Sequence, residues 1–424
     1  MRGLVVGSGG REHALVWSLR RSRHVTEVLC APGNGGIEQE VRCFKVAPQD
    51  HAGILDLARS QKVDCVVVGP EAPLAEGLAD YLLGHGTPVV GPRRDAARLE
   101  SSKVFAKDFM ARHGIPTGSC VTFASAEKAL EFLDSSEAHY PLVVKADGLA
   151  AGKGVIIAGD AAEARAAVRR VMVQREFGAA GDLLLLEEYL EGIEASYIVC
   201  TDGHHVLPAV AARDHKAAYD NDRGPNTGGM GAYSVDNILD SRLEKEILET
   251  IIRPVVDGMS KEGAPFQGFL YAGLMLTRSG PKVLEFNVRM GDPEGQVILP
   301  RLASDFGELC EALCSGRLRD YRVEWRRGAA VCVVLASGGY PGAYEKGKVI
   351  AGLDLAAEDP RLAIFHSGTR RSGDSVVTDG GRVLGVTAFS DDLASAVMSA
   401  YEAVNKIHFS GMHYRRDIGA KGLN

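Results

Sequence analysis

A chain of 424 residues, with 46% hydrophobic and 24% charged side chains, has room for two to four ordinary globular domains. Its net charge of −7 gives no support to a nucleic-acid or polyanionic-membrane partner. Eight scattered cysteines with no Cys-x-x-Cys pair, no apolar run near the ~18 residues of a membrane span, and no signal pattern before the first strand suit a protein of the reducing cytoplasm.

Short apolar runs at 4–6, 25–30, 64–68 and 88–90 alternate with helical patterns at 12–21, 51–60 and 73–83. That alternation predicts a parallel sheet covered on both faces, with ligands bound beyond the carboxyl ends of its strands. The first strand runs into Gly7-Ser8-Gly9-Gly10-Arg11-Glu12. A dinucleotide fingerprint would place its third glycine at Glu12 and an acid after the second strand, near Cys30, and both are missing. The turn still suits an anion, held by helix-terminal amides and Arg11, or it is simply a tight strand-to-helix connection.

From residue 102 the pattern changes. A helix over 102–113 is followed by strands at 142–145 and 155–157, an alanine-rich helix over 161–173 and a strand at 183–188. The glycine-rich loop 147–154 is not a P-loop. Three residues rather than four separate Gly148 from Gly152, and Gly154 stands where Ser or Thr would bind magnesium. It joins two strands, so it reads as a hairpin flap that carries Lys153 over phosphates, with Lys145 as a second cation. Cys310 and Cys314, four apart on a predicted helix, read as core residues. Strands at 329–335, 348–351, 361–366, 375–378 and 382–389, then a helix over 391–406, form a separate C-terminal α+β domain.

Two segments carry the chemistry. In 282–289, alternation puts Leu284, Phe286 and Val288 on a buried face and Glu285, Asn287 and Arg289 on the other. Two hard oxygen donors beside a guanidinium suit Mg²⁺ and a transferring phosphoryl group. The segment 213–233 has six charged residues, four glycines and no Val, Ile or Leu. It is too polar to order itself as a core element, so a long loop here reads as functional.

The flap, Glu187-Glu188-Tyr189-Leu190 and Glu285-Phe286-Asn287-Val288-Arg289 together resemble the ATP-grasp carboxylate–amine ligases. Gly9 to Ala14, Lys145 to Gly154 and Gly224 to Gly231 narrow the resemblance to the glycinamide ribonucleotide synthetase family. It covers essentially the whole chain, including Gly338 to Gly342. It implies three parts: an N-terminal parallel-sheet (Rossmann-like) domain over 1–101, an ATP-grasp region over 102–325 with a mobile small subdomain at about 122–190, and a C-terminal α+β domain over 326–424. It also implies ligation of glycine to 5-phosphoribosylamine through glycyl phosphate, with ATP as substrate and Mg²⁺ or Mn²⁺ as metal. The expected partners are small molecules only, and the chain is expected to be a monomer or weak homo-oligomer.

Carried over residue by residue, the resemblance gives ATP to Lys103, Lys145, Asp147, Gly148, Gly152, Lys153, Gly154, Glu187, Glu188, Tyr189, Leu190 and Glu194, with Glu187 and the Tyr189–Leu190 backbone at the adenine and Glu194 at the ribose. Metal falls to Glu285 and Asn287. Arg289 would steady the transferred phosphoryl group, and Asp214, Lys216 and Asp292 would act around glycine and the acyl intermediate. Gly9, Gly10, Arg11, Glu12, Pro32, Gly33, Asn34, Asn226 and Gly229 would bind the remaining substrate parts. The C-terminal domain is expected to cover the nucleotide.

Ala217 and Gly295 depart from the family pattern, which more often has a basic residue and Thr there; neither touches the Glu285–Arg289 row. A ligase for another amine or acid would share the ATP half and differ in 213–233 and the N-terminal domain. A nucleotide-sensing protein without catalysis is disfavoured by the intact Glu285, Asn287 and Arg289, and a nicotinamide oxidoreductase by Glu12.

Overall fold

The computed structural model describes residues 1–149, 154–356, 359 and 361–423. The N-terminal sheet is all parallel, in the spatial order Arg42–Cys43, Glu27–Pro32, Arg2–Gly7, Cys65–Val68, Val89–Val90. Its strands are apolar on both faces because helices cover both, as the continuous apolar runs require. The predicted helix over 73–83 is broken in two, Glu71–Ala75 and Leu78–Gly84, at Gly77 with φ +96°. A further helix, Arg94–Ser101, precedes Lys103–Arg112.

The small subdomain is an antiparallel sheet ordered Cys120–Phe123, Leu184–Glu188, Leu142–Ala146, Val155–Ala158. Leu142–Ala146 pairs directly with Val155–Ala158, so the glycine-rich segment between them is a hairpin connection. Residues 150–153, including Gly152 and Lys153, lie outside the described residues. The alanine-rich helix is α-helical over Ala161–Val168 and continues in wider π geometry over Arg169–Val173.

The larger sheet of the central region is ordered Val206–Pro208, Ile193–Thr201, Gly268–Thr277, Gly280–Asn287. Its last strand corrects one expectation. A bulge makes Gly273 face Glu285 while Leu274 faces Val283. Val283, Phe286 and Val288 therefore enter the core, and Leu284 turns toward the cleft beside Glu285.

The segment 213–233 is ordered, against the expectation of a coreless loop. Arg213–Asp214 pairs with Gly231–Val235, and Ala217–Tyr219 forms a hairpin with Arg223–Asn226. Gly231–Val235 then pairs with Ala329–Ala336 of the C-terminal sheet, whose order continues with Arg382–Ser390 and Leu362–His366. Its burial is borrowed: Met230, Ala232 and Tyr233 are covered by partners a hundred residues away in sequence, which no local pattern displays. The 348–351 run makes only isolated bridges, through Val349 and Ala351, while Thr369–Ser372 pairs with Ser375–Thr378. Cys310 is buried, and Cys314 Sγ lies 2.9 Å from Cys65 Sγ. Among the described residues no helix is long and apolar enough to cross a membrane.

Candidate active site

One cavity of about 390 Å³ opens where all three parts meet. At one end, the small subdomain and the Lys103–Arg112 helix supply Lys103, Lys107, Lys145, Gly148, Gly154, Glu187, Glu188, Tyr189 and Leu190. The floor is Glu285, Asn287 and Arg289, with Glu194, Asp214, Lys216 and Asn226 beside it. The far end is closed by Arg11, Asp292 and Arg382.

At the first end, Glu187 is buried between two cations, Lys107 Nζ at 2.5 Å and Lys145 Nζ at 2.6 Å. Its carboxylate is engaged by both ammoniums, and the residue lines the cavity at the end expected for the adenine. Lys107 escaped sequence reading because a lysine on a helix ordinarily reads as solvated surface; it also donates to Thr117 Oγ1 and Gly118 O. Burial lowers the pKa of both Lys103 and Lys107. Lys103 donates to Gly148 O at 2.9 Å, which ties the flap to the helix. Asp147 is not in the cavity: it accepts from Val104 N–H and Ser102 Oγ–H, and so caps the Lys103–Arg112 helix. Glu187→Gln is expected to cost about 3 kcal/mol of stability, because two buried ammoniums lose their shared anion. Denaturant midpoints would show it, and a loss under about 1 kcal/mol would mean that both lysines stay solvated.

On the floor, Lys216 Nζ lies 3.5 Å from Glu194 and 3.8 Å from Glu285. Burial would raise the Glu285 pKa, but Lys216, Lys145, Lys103 and Arg289 together hold it below the usual carboxylate range. Asp214 is pushed up to about 7 by burial, which outweighs the pull of Lys216. Arg289 donates to Glu71 at 3.1 Å and Glu100 at 2.7 Å, and Glu100 also accepts from Val288 N–H at 2.7 Å. Despite burial, Arg289 and Arg11 hold the Glu71 pKa down to about 2. Glu71 and Glu100, from the N-terminal part and the helix after it, thus fix the orientation of Arg289. Glu294, to which the sequence assigns no role of its own, is buried and accepts from Ser196 Oγ–H and Tyr271 O–H.

At the far end, Arg11 is the only residue of the first glycine turn that lines the cavity. Glu12 accepts from Gly9 N–H at 2.5 Å and from Arg11 Nε–H at 2.6 Å. It caps the helix start through the Gly9 amide and orients Arg11 through Nε, and it does not itself line the cavity. Asn34 is likewise spent on structure: it donates to Ser8 O and His366 O, and accepts from Gly36 and Ile37 N–H. Gly9, Gly10, Pro32, Gly33 and Gly229 do not line the cavity, whereas Asn226, Thr227 and Gly228 do. Asp292 accepts from Arg382 at 2.9 Å and Gln296 Nε2–H at 2.7 Å, and Arg382 and Arg11 keep its pKa low against burial.

The C-terminal part thus meets the cavity through Arg382, at the end opposite the flap rather than over it. It also docks on the N-terminal domain. His366 N–H donates to His13 Nδ1 at 2.8 Å, which leaves the proton on Nε2, 3.1 Å from Glu40. The His366 ring is buried, with Nδ1 3.1 Å from Thr369 Oγ1. Burial first, and His13 second, lower its pKa to about 3. The unfolded chain therefore binds a proton that the folded one does not between about pH 6.5 and 3, and stability falls as pH drops through that window. His366→Gln is expected to flatten the decline of Tm from pH 6.5 to 4. An unchanged slope would place the sensitivity elsewhere.

Family models for the phosphoribosylglycinamide synthetase N domain, ATP-grasp (A) domain and C domain match residues 1–100, 101–295 and 330–421. The chain belongs to the phosphoribosylglycinamide synthetase family. It is similar, at 50% identity across 100% of its length and 99% of the relative's, to a phosphoribosylamine–glycine ligase of Allochromatium vinosum. It is 49% identical to 42% of the trifunctional purine biosynthetic protein adenosine-3 of Gallus gallus. Among solved structures, the phosphoribosylamine–glycine ligase of Thermotoga maritima matches with a TM-score of 0.83 at 34% identity, over 98% of this chain and all of that one. Biotin carboxylase of Campylobacter jejuni shares the fold, with a TM-score of 0.73 at 13% identity over 99% of this chain and 94% of that one. Membership in the phosphoribosylglycinamide synthetase family accounts for the three-part architecture and for a cleft shared by all three parts.

Proposed function

We propose that this cleft joins glycine to 5-phosphoribosylamine at the expense of ATP, giving glycinamide ribonucleotide, ADP and phosphate. The observation that carries the reading is the continuity of one cavity from Lys103 and Lys145, across Glu285, Asn287 and Arg289, to Arg11, Asp292 and Arg382. Nucleotide, acid and amine can meet there without a protein nucleophile, so the chain's task is placement and charge compensation.

Lys103 and Lys145 neutralise ATP phosphates. Arg289, held rigid by Glu71 and Glu100, faces the phosphoryl group as it passes to the carboxylate of glycine. Lys216 balances negative charge on the glycyl phosphate. As the amine nitrogen attacks the acyl carbon and phosphate leaves, Asp214 accepts the amine proton, a role suited to a carboxyl with a pKa near 7. Arg11 and Arg382 face the amine substrate from the far end, the side on which a phosphate would need cations.

The donor set fits a divalent metal. Glu285 and Asn287 are hard oxygen donors that face the cavity, and among the described residues no cluster of three or more His, Cys, Asp or Glu competes with them. Glu285 and Asn287 would hold magnesium or manganese, which would supply charge compensation for the phosphates. The reading is tested by ADP formation with Mg-ATP, glycine and freshly generated phosphoribosylamine. ADP release that does not depend on both substrates would refute it.

A further inference from the structure

The loop that carries Asp214 and Lys216 is held from behind by a segment almost two hundred residues later. Arg415 is wholly buried. Its Nη1 donates to Ala217 O at 3.2 Å and Asp222 Oδ1 at 3.0 Å, while Nε and Nη2 grip Asp417 in a fork at 2.7 and 2.6 Å. His413 Nε2 lies 2.8 Å from Ala218 O, Arg416 N–H donates to Asp220 at 2.7 Å, and Asp417 accepts from Asn221 N–H at 2.9 Å. Lys421 pairs with Asp222 from the outside. Asn221 and Asp222 are successive non-glycine residues at φ 60° and 55°, in the left-handed region, where a pair of side chains needs outside support. His215, between Asp214 and Lys216, is buried with both ring nitrogens unpartnered among the described residues.

We infer that Arg415 is a positioning residue for the reaction. Through Ala217 O and Asp222 it fixes the turn from which Lys216 and Asp214 reach the cavity. A purely stabilising role explains it poorly, since a buried ion pair often adds no more stability than apolar packing of the same volume. A planar guanidinium whose Nη1 holds two acceptors of the loop while its Nε and Nη2 hold Asp417 of its own segment sets geometry instead. The inference rests on the proposal that Lys216 and Asp214 act on the acyl side.

The test measures Arg415→Met, Arg415→Lys, Asp222→Ala and Lys216→Ala together. Arg415→Met is expected to lower kcat about 100-fold, the scale of a 1 Å displacement of reacting groups. The apparent affinity for ATP should stay within about 2-fold, because the nucleotide end is untouched. Arg415→Lys should recover part of kcat, since it restores charge without the fork. Asp222→Ala, at an exposed position, should move kcat the same way by a smaller factor, and it carries the test if Arg415→Met does not fold. A lower Tm for Arg415→Met with normal kcat per folded molecule, while Lys216→Ala is inactive, would overturn the inference. Normal kcat in Lys216→Ala would also overturn it, by removing the reading beneath it.

Discussion

Glu285→Ala is expected to lower kcat by about a thousandfold even at saturating Mg²⁺, equivalent to several kcal/mol of lost charge compensation. Glu285 sits where Lys216, Lys145, Lys103 and Arg289 converge, and those cations hold it ionised. Its removal takes from those cations a carboxylate that they share, and it takes away the only carboxylate on the Glu285–Arg289 row. The side chain is 36% exposed at the cavity wall, so folding is expected to survive and Tm to move little. Activity that returns at high Mg²⁺ would reduce Glu285 to a binding aid, and near-normal activity throughout would remove it from the mechanism. Glu285→Asp is expected to fall between, because a shorter carboxylate keeps the charge and loses the reach.

The second large effect concerns Asp214. Asp214→Asn is expected to lower kcat by 10²–10⁴-fold, the usual contribution of a positioned base. In the unaltered protein the base form of Asp214 is populated above pH about 7 and lost below it, so kcat should rise with pH through that value. The sign follows from burial, which favours the neutral acid, and Lys216 opposes it only in part. The Asn variant should lack this limb and keep a flat residual rate over the same range. A limb at pH 7 that persists in the variant would assign the proton to another group.

Much of the architecture is legible in the sequence because burial leaves local marks. Continuous apolar runs such as Cys65–Val68 announce parallel strands buried on two faces. The hairpin from Lys145 to Val155 follows from glycines set between two apolar runs. Legibility ends where burial or hydrogen bonding is supplied from far away. Ala217, Ala218 and Met230 are buried, and their carbonyls are held by Arg415, His413 and Val334, which the segment 213–233 does not itself contain. The bulge at Leu284 is set by the strand Gly268–Thr277 opposite it, not by the alternation within 282–289.

The site follows the same division. Glu285, Asn287, Arg289, Asp214 and Lys216 share one cavity, as their residue types suggest. Glu12 and Asp147 look like ligands because they stand in glycine-rich turns, yet both carboxylates cap helices. For Glu12 a signal was present, an acid three residues after Gly9 at a helix start. For Asp147 none was, since the helix it caps begins at Lys103, in a different element. Arg382, Glu71 and Glu100 carry no motif at all; only the docking of separate parts gives them a place at the cleft.

The mixed parentage of the third sheet has a consequence for how the protein is made. Residues 213–235 leave the ribosome well before the strand Ala329–Ala336 that must flank them, and before Arg415, which braces their turn. The parallel sheet and the flap can assemble from what has already emerged, so a nascent chain has its nucleotide half early. The half that distinguishes one acid and one amine from others is completed only by the final stretch of translation.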